Sequence, residues 1–282
     1  MRNRQAQSLI VFSILTAAII FSQMVLYALF LMFHWPMLAN LFDMCNNWLM
    51  KLRLPLVAKG LDVLVLSTVI TGFLFTISQI LASFRVKARF SAVLDPEQSR
   101  QMVRRYALAE GNLMVIRCQK PMAFTMGFFR PVIIMSTGLT DLLEEEELEA
   151  VVRHEQFHLI NRDPLRTLCI YALSSIMWYV PILRWCHHCF KTTREVLADR
   201  YAISATGSAV GLGSALVKLT KSSTPLSMSF AHASFADTPI NIRIRQLLDP
   251  QEKPRIKLPW FSAIVSFQVL VLLTALFLPA YL

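Results

Sequence analysis

Two histidines four residues apart, with a glutamate directly after the first, stand in "VVRHEQFHLINRDP" (151–164): His154, Glu155 and His158. On a helix both imidazoles project from one face a turn apart and can reach one ion, with Glu155 beside them toward a water on that ion. Zinc suits such ligands. It brings the pKa of its water to about 7, so a carboxylate can take the proton as the water attacks a peptide carbonyl. A catalytic zinc needs a third protein ligand and keeps one position open. "REVLADRY" offers the best candidate, Glu195, with Asp199 one turn later on the same face, placed to accept a hydrogen bond from a ligating histidine. The competing reading is a buried or capping histidine pair in a structural helix, since the HExxH pattern arises by chance in roughly one chain of this length in a hundred. The second helix with its two carboxylates favours the metal, one zinc per chain.

The elements that must hold these residues belong to an apolar chain. Of 282 residues 55% are hydrophobic and 16% charged, against roughly 25% charged in soluble domains, and mean hydropathy is +0.50. Between Arg4 and Asp43 there is no acidic residue, lysine or arginine, and "SLIVFSILTAAIIFSQMVLYALFLMF" (8–33) is long enough to cross a hydrocarbon layer of about 30 Å. Runs at 63–84 and 258–282 are likewise uncharged and of spanning length, giving three expected spans. The first run exceeds the core of a signal peptide and lacks a small-x-small cleavage site, so it reads as an uncleaved anchor. A fourth run, "TLCIYALSSIMWYVPIL" (167–183), is at the lower edge of spanning length and contains Pro181. It could span, lie in the interface or sit in a core.

Net charge is +10. Arg2, Arg4, Arg85, Lys87, Arg89, Lys253, Arg255 and Lys257 flank span ends on one face, whereas the 34–60 loop holds Lys51, Arg53 and Lys59. The positive-inside rule then puts the N-terminus and residues 86–257 in the cytoplasm. Membrane topology accounts for the basic balance, and no direct nucleic-acid partner is expected. Five cysteines, four of them in that reducing compartment, argue against a disulfide framework.

The organisation expected is a two-span hairpin (1–85), a cytoplasmic metallopeptidase domain (86–257) and a final span (258–282). Within the domain, 112–118, 123–129 and 131–136 are short apolar runs bounded by Gly111, Pro121 and Pro131 and read as strands. "TDLLEEEELEAVVRHEQFHLI" reads as a helix capped by Thr140 and Asp141, with Glu144 to Glu147 as a solvated start, stopping near Asn161 to Pro164. "HHCFKTTREVLADRYAISATG" is a second helix ending near Gly207; residues 222–239 have loop composition; "INIRIRQLLDP" is a short basic amphipathic segment. In "CHHC" (186–189) four consecutive helical positions cannot all face one ion, so packing and surface roles are expected there.

The run "MGFFRPVIIMSTGLTDLLEEEELEAVVRHEQFHLINRDPLRT", followed by "WYVPILRWCHHCFKTTREVLADRYA", resembles the BlaR/MecR family of bacterial membrane-embedded zinc metallopeptidases. The similarity covers roughly residues 105–250. It rests on the Gly-x-x-x-Pro-x-Ile strand pair, the Gly-Leu before the helix, HExxH, Arg-Asp-Pro, the Trp-x-x-Pro helix and Glu-x-x-x-Asp, all in order. The resemblance implies an α-helical membrane protein with a cytoplasmic α+β gluzincin-like zinc peptidase domain. It implies His154, His158 and Glu195 as zinc ligands, Glu155 as general base and acid, and Asp199 as the orienting carboxylate. It also implies that a strand within Ala123 to Phe129, including Phe124, Thr125 and Met126, pairs with an extended substrate. Arg200, Tyr201 and His187 are candidates for stabilising the oxyanion.

β-Lactam-sensing members carry a penicillin-binding domain after the final span, and the sequence here stops at Leu282. A short form without that sensor is therefore expected, with any external signal entering through the 34–60 loop, the spans or a partner. The function expected is a signalling endopeptidase of the bacterial cytoplasmic membrane that cuts a repressor-like protein or itself, with the bilayer as partner and a homodimer an allowed arrangement. Two alternatives stay open: a membrane quality-control protease of the HtpX or CAAX type, and a non-catalytic receptor or scaffold.

Overall fold

A computed structural model describes residues 3–34, 40–222, 233–234, 243–244 and 258–275. The chain groups into two compact units: Met1–Ile77, Ile170–His187 and Ile256–Leu282 form one, and Ser78–Cys169 with His188–Arg255 form the other.

The first unit is helical. α1 (Asn3–Phe33) and α3 (Pro55–Ala92) are both long and apolar enough to cross a bilayer. Phe12, Leu15, Ile19, Val63, Phe73 and Leu74 are exposed along them, as expected where lipid and not water is the neighbour. Met24, Tyr27, Phe42 and Val65 bury against one another. At Gly72 an added Cβ would lie 3.2 Å from both Ile176 Cδ1 and Phe21 Cζ, the close approach that small residues allow between membrane helices.

Three expectations change here. The 34–60 loop carries a helix, α2 (Leu41–Lys51), whose N-cap Asn40 accepts from the amides of Phe42 and Asp43. α3 runs unbroken past residue 85 and carries Arg85, Lys87 and Arg89 on its last turns. The 167–183 run is not one helix: α7 (Asp163–Ile176) ends in a turn, and α8 (Ile182–Thr206) begins after Pro181. The 14 residues of α7 measure about 21 Å, too short to span alone. Of the expected third span, α10 (Trp260–Ala275) is described, and 276–282 lie outside the described residues.

The second unit contains a mixed sheet in the order β1-β3-β2-β4. β1 (Leu113–Ile116) runs parallel to β3 (Val132–Ser136), and β2 (Ala123–Met126) runs antiparallel to it. Alternation sends Leu113, Val115, Ala123, Ile133 and Met135 to one face, under α4 (Pro96–Arg105), α5 (Thr137–Leu142), α6 (Glu145–Ile160) and α9 (Val210–Ser222). Ile116, Phe124, Met126, Val132 and Ile134 face the other way, against Val86 and Phe90. The β2–β3 turn needs Gly127: φ is +99°, and a Cβ would meet Arg130 O at 2.6 Å. The outer edge of β2 pairs antiparallel with β4 (Ala233–Ser234), the described part of the 222–239 segment.

The start of the HExxH helix departs from the sequence reading. Thr140 and Asp141 belong to the separate short α5, which Ser136 caps, and Leu143 is extended. The cap of α6 is Glu144, in a reciprocal box with Glu147. Glu147 is not solvated: it is 5% exposed and accepts from Ser214 Oγ at 2.5 Å and Lys218 Nζ at 2.7 Å, both on α9.

Candidate metal centre

α6 and α8 bring His154, His158 and Glu195 together, each at most 1% exposed. One ligand atom from each lies within 4.8 Å of the others, and among the described residues this is the group that could hold a metal ion. The two Nε2 atoms face one another at 3.2 Å. Glu195 Oε2 is 3.4 Å from His154 Nε2, and Oε1 is 3.8 Å from His158 Nε2.

Each imidazole is held from behind. His154 Nδ1 lies 2.9 Å from Asp199 Oδ1, and His158 Nδ1 lies 2.8 Å from Asp163 Oδ2. Each aspartate is gripped in turn by an arginine. Arg243 Nε donates to Asp199 Oδ2 at 2.8 Å and its Nη2 to Oδ1 at 2.5 Å, while Arg194 reaches both oxygens of Asp163 at 2.9 and 2.7 Å. An aspartate on Nδ1–H leaves the Nε2 lone pairs pointing at each other. That contact is repulsive unless a cation, a proton or a metal ion, sits between them. Two bonds of about 2.05 Å at a tetrahedral angle would set the nitrogens about 3.3 Å apart, close to the observed separation. Among the described residues, Glu155 Oε1 and Glu195 Oε2 are buried with no hydrogen-bond partner. The donor set therefore fits a zinc-like ion.

The surrounding carboxylates favour positive charge at the site. Burial disfavours charge on His154, but Asp199 and Glu195 outweigh it and hold its pKa at about 9. Burial pushes Asp199 up, yet Arg243 and His154 take it well below the carboxylate range; Glu195 is lowered against burial by His154, His158 and Arg243. Glu155 goes the other way, raised chiefly by burial. Thr125 Oγ1 lies 2.8 Å from Glu155 Oε2.

The expected ligand trio, Glu155 and Asp199 thus converge, and β2 lies beside them. Of the three oxyanion candidates, Arg200 is exposed, the Tyr201 ring lies 5.8 Å from that of Phe157, and the His187 ring lies 5.3 Å from that of Tyr171, tilted by 35°. The guanidinium that reaches the cluster is Arg243, with Nη1 3.6 Å from Glu195 Oε2. Sequence reasoning places Arg243 on a basic amphipathic segment and gives no role to Asp163, Arg194 or the Thr125 hydroxyl. Asp163 had a signal, since it lies five residues past His158 at a helix end. In "CHHC" the thiols of Cys186 and Cys189 are buried and form no disulfide among the described residues, and His188 is exposed.

A paired-histidine helix, a carboxylate on a second helix and a strand alongside are the parts of a metal-dependent peptidase, here in a largely helical protein with two membrane-length helices among the described residues. The chain belongs to the family described as BlaR1 peptidase M56, whose model matches residues 9–247. It is also similar to Protease HtpX homolog 2 of Methanosarcina mazei, 30% identical over 147 residues, which are 40% of this chain and 50% of that protein. The Protease HtpX homolog of Pyrococcus abyssi is 32% identical over 88 residues, 30% of each chain. That of Desulforapulum autotrophicum is 26% identical over 156 residues, 42% of this chain and 50% of that one. The chain spans half or less of the length of these curated relatives.

Proposed function

We propose that the protein is a zinc-dependent endopeptidase of the bacterial cytoplasmic membrane, multi-pass, with its N-terminus and second unit in the cytoplasm, acting on a repressor-like regulator or on itself. The observation that carries this is the convergence of His154, His158 and Glu195 with a buried Glu155 whose Oε1 has no hydrogen-bond partner among the described residues. Zinc held by the trio would supply a Lewis acid that acidifies water and polarises a peptide carbonyl. Glu155 accepts the water's proton at Oε1 and returns it to the leaving amine. Asp163 and Asp199 keep both imidazoles in the tautomer that offers Nε2. The outer edge of β2 aligns the peptide backbone by strand pairing.

Self-cleavage gains support from the pairing of Thr125 with Ala233 and Phe124 with Ser234, since the chain's own segment lies on the edge assigned to substrate. The test is zinc content and cleavage in detergent-purified protein. Wild type should carry about one zinc and Glu195→Ala almost none; wild type should cut labelled casein or itself, and Glu155→Gln should not. Identical fragments from Glu155→Ala would remove self-cleavage. The HtpX-named relatives favour a second reading, membrane quality control. A substrate survey separates the two: one regulator supports signalling, many misfolded membrane proteins support quality control.

A further inference from the structure

We infer that Thr125 is a positioning residue for Glu155: its hydroxyl fixes the carboxylate while its backbone belongs to the edge that takes the peptide. The inference rests on the peptidase reading above and adds to it a coupling between substrate docking and the base.

Thr125 is the third residue of β2 and is fully buried. Strand alternation turns its side chain toward α6 and sends Phe124 and Met126 to the opposite face. Its Oγ1 lies 2.8 Å from Glu155 Oε2 and 3.1 Å from the Glu155 main-chain carbonyl. A hydroxyl has one proton to give, and a carboxylate is the stronger acceptor. The proton therefore goes to Oε2, and the carbonyl oxygen is only a close neighbour.

Three consequences follow from that single bond. Oε2 is occupied, so Oε1, buried and without a hydrogen-bond partner among the described residues, is the oxygen left to meet a proton. Rotation of the carboxylate about its last torsion, which is otherwise broad and roughly two-fold, is stopped by a donor fixed in a sheet. The donor also sits on the strand whose neighbours are Ile133 on one side and Ala233 on the other. A peptide paired as β4 is paired therefore runs about 4.8 Å from the strand that holds the base. A displacement of that strand would move peptide and carboxylate together.

A purely structural role predicts something different. If the hydroxyl served only to satisfy a buried polar group, removing it would cost stability and leave turnover per folded molecule unchanged. Thr125→Val keeps the volume and removes the donor, whereas Thr125→Ser keeps the donor and removes a methyl.

The experiment uses full-length, detergent-solubilised, zinc-loaded protein and fluorescein-labelled casein as probe. Thr125→Val should lower kcat by about 10- to 100-fold, the scale of a roughly 1 Å misplacement, with KM and zinc per chain unchanged; Thr125→Ser should recover most of the loss. Melting temperatures supply a second measurement that needs no turnover: Thr125→Val should lower the melting point in the wild-type background and much less in Glu155→Ala. An unchanged kcat, a loss confined to KM, or equal melting shifts in both backgrounds overturns the assignment. A wild type no more active than Glu155→Gln instead overturns the peptidase reading, and is told apart because in the first case the wild type still cleaves.

Discussion

The two histidines of the centre rest on supports of the same chemistry, an aspartate behind Nδ1 and an arginine behind the aspartate, built in opposite ways. His158 leans on Asp163 five residues away, and Asp163 on Arg194, 31 residues further. Arg194 is 14% exposed and lies 4.6 Å over the Phe157 ring. His154 leans on Asp199, whose Arg243 is fully buried and comes from 44 residues away, beyond β4. One support is local and has an aromatic backstop; the other is dry and depends on a distant segment. Equal chemistry should therefore fail unequally.

The largest effect should be common to both supports: Glu195→Ala removes the carboxylate between the histidines, and metal analysis should find zinc reduced from about one per chain to near none. Next, Arg243→Met strands a buried Asp199 and should cost about 3–5 kcal/mol in denaturant unfolding of the zinc-free protein. Arg194→Met should cost clearly less, because water and Phe157 remain at hand. Equal costs would break the comparison. Asp199→Ala and Asp163→Ala should each weaken zinc by about 10- to 100-fold in chelator competition, and a larger loss at Asp199 would sharpen it. The smallest effect is on pH. The folded pKa of Asp199 is depressed, so its contribution is present above the unfolded value of about 3.9 and is lost as pH falls toward the folded one. The stability gap between wild type and Asp199→Asn, measured without zinc, should be full at neutral pH and shrink below about pH 4.

Legibility followed the same division between near and far. The strands of 112–136 could be read because Gly and Pro punctuate them, and His154, Glu155 and His158 because helical spacing puts them on one face. Glu195 and Asp199 could be read as a pair one turn apart. The start of α6 is not legible because Thr140 and Asp141 are good cap residues that instead sit inside the last turn of α5, which stops at Leu142. The burial of Glu147 was invisible because its partners Ser214 and Lys218 arrive 67 and 71 residues later. Asp163 faces back to His158 only because Arg162 takes a positive φ of 51° between α6 and α7, a geometry that spacing does not reveal. Arg243 stands between Ile242 and Ile244, and nothing local separates it from an ordinary basic face.

In polymer terms the Asp199–Arg243 ion pair closes a ring of chain, and β4 is one of the beads on that ring. While the backbone is whole, closure is intramolecular and costs only loop entropy, which grows slowly with length. A single break between the two residues opens the ring and makes the piece carrying Arg243 a second molecule, so that the same ion pair must then hold an association whose effective concentration the lost tether no longer sets. The support behind His154 is in that sense a gauge of chain continuity between residues 199 and 243, to which the support behind His158, closed between residues 158 and 194, is indifferent.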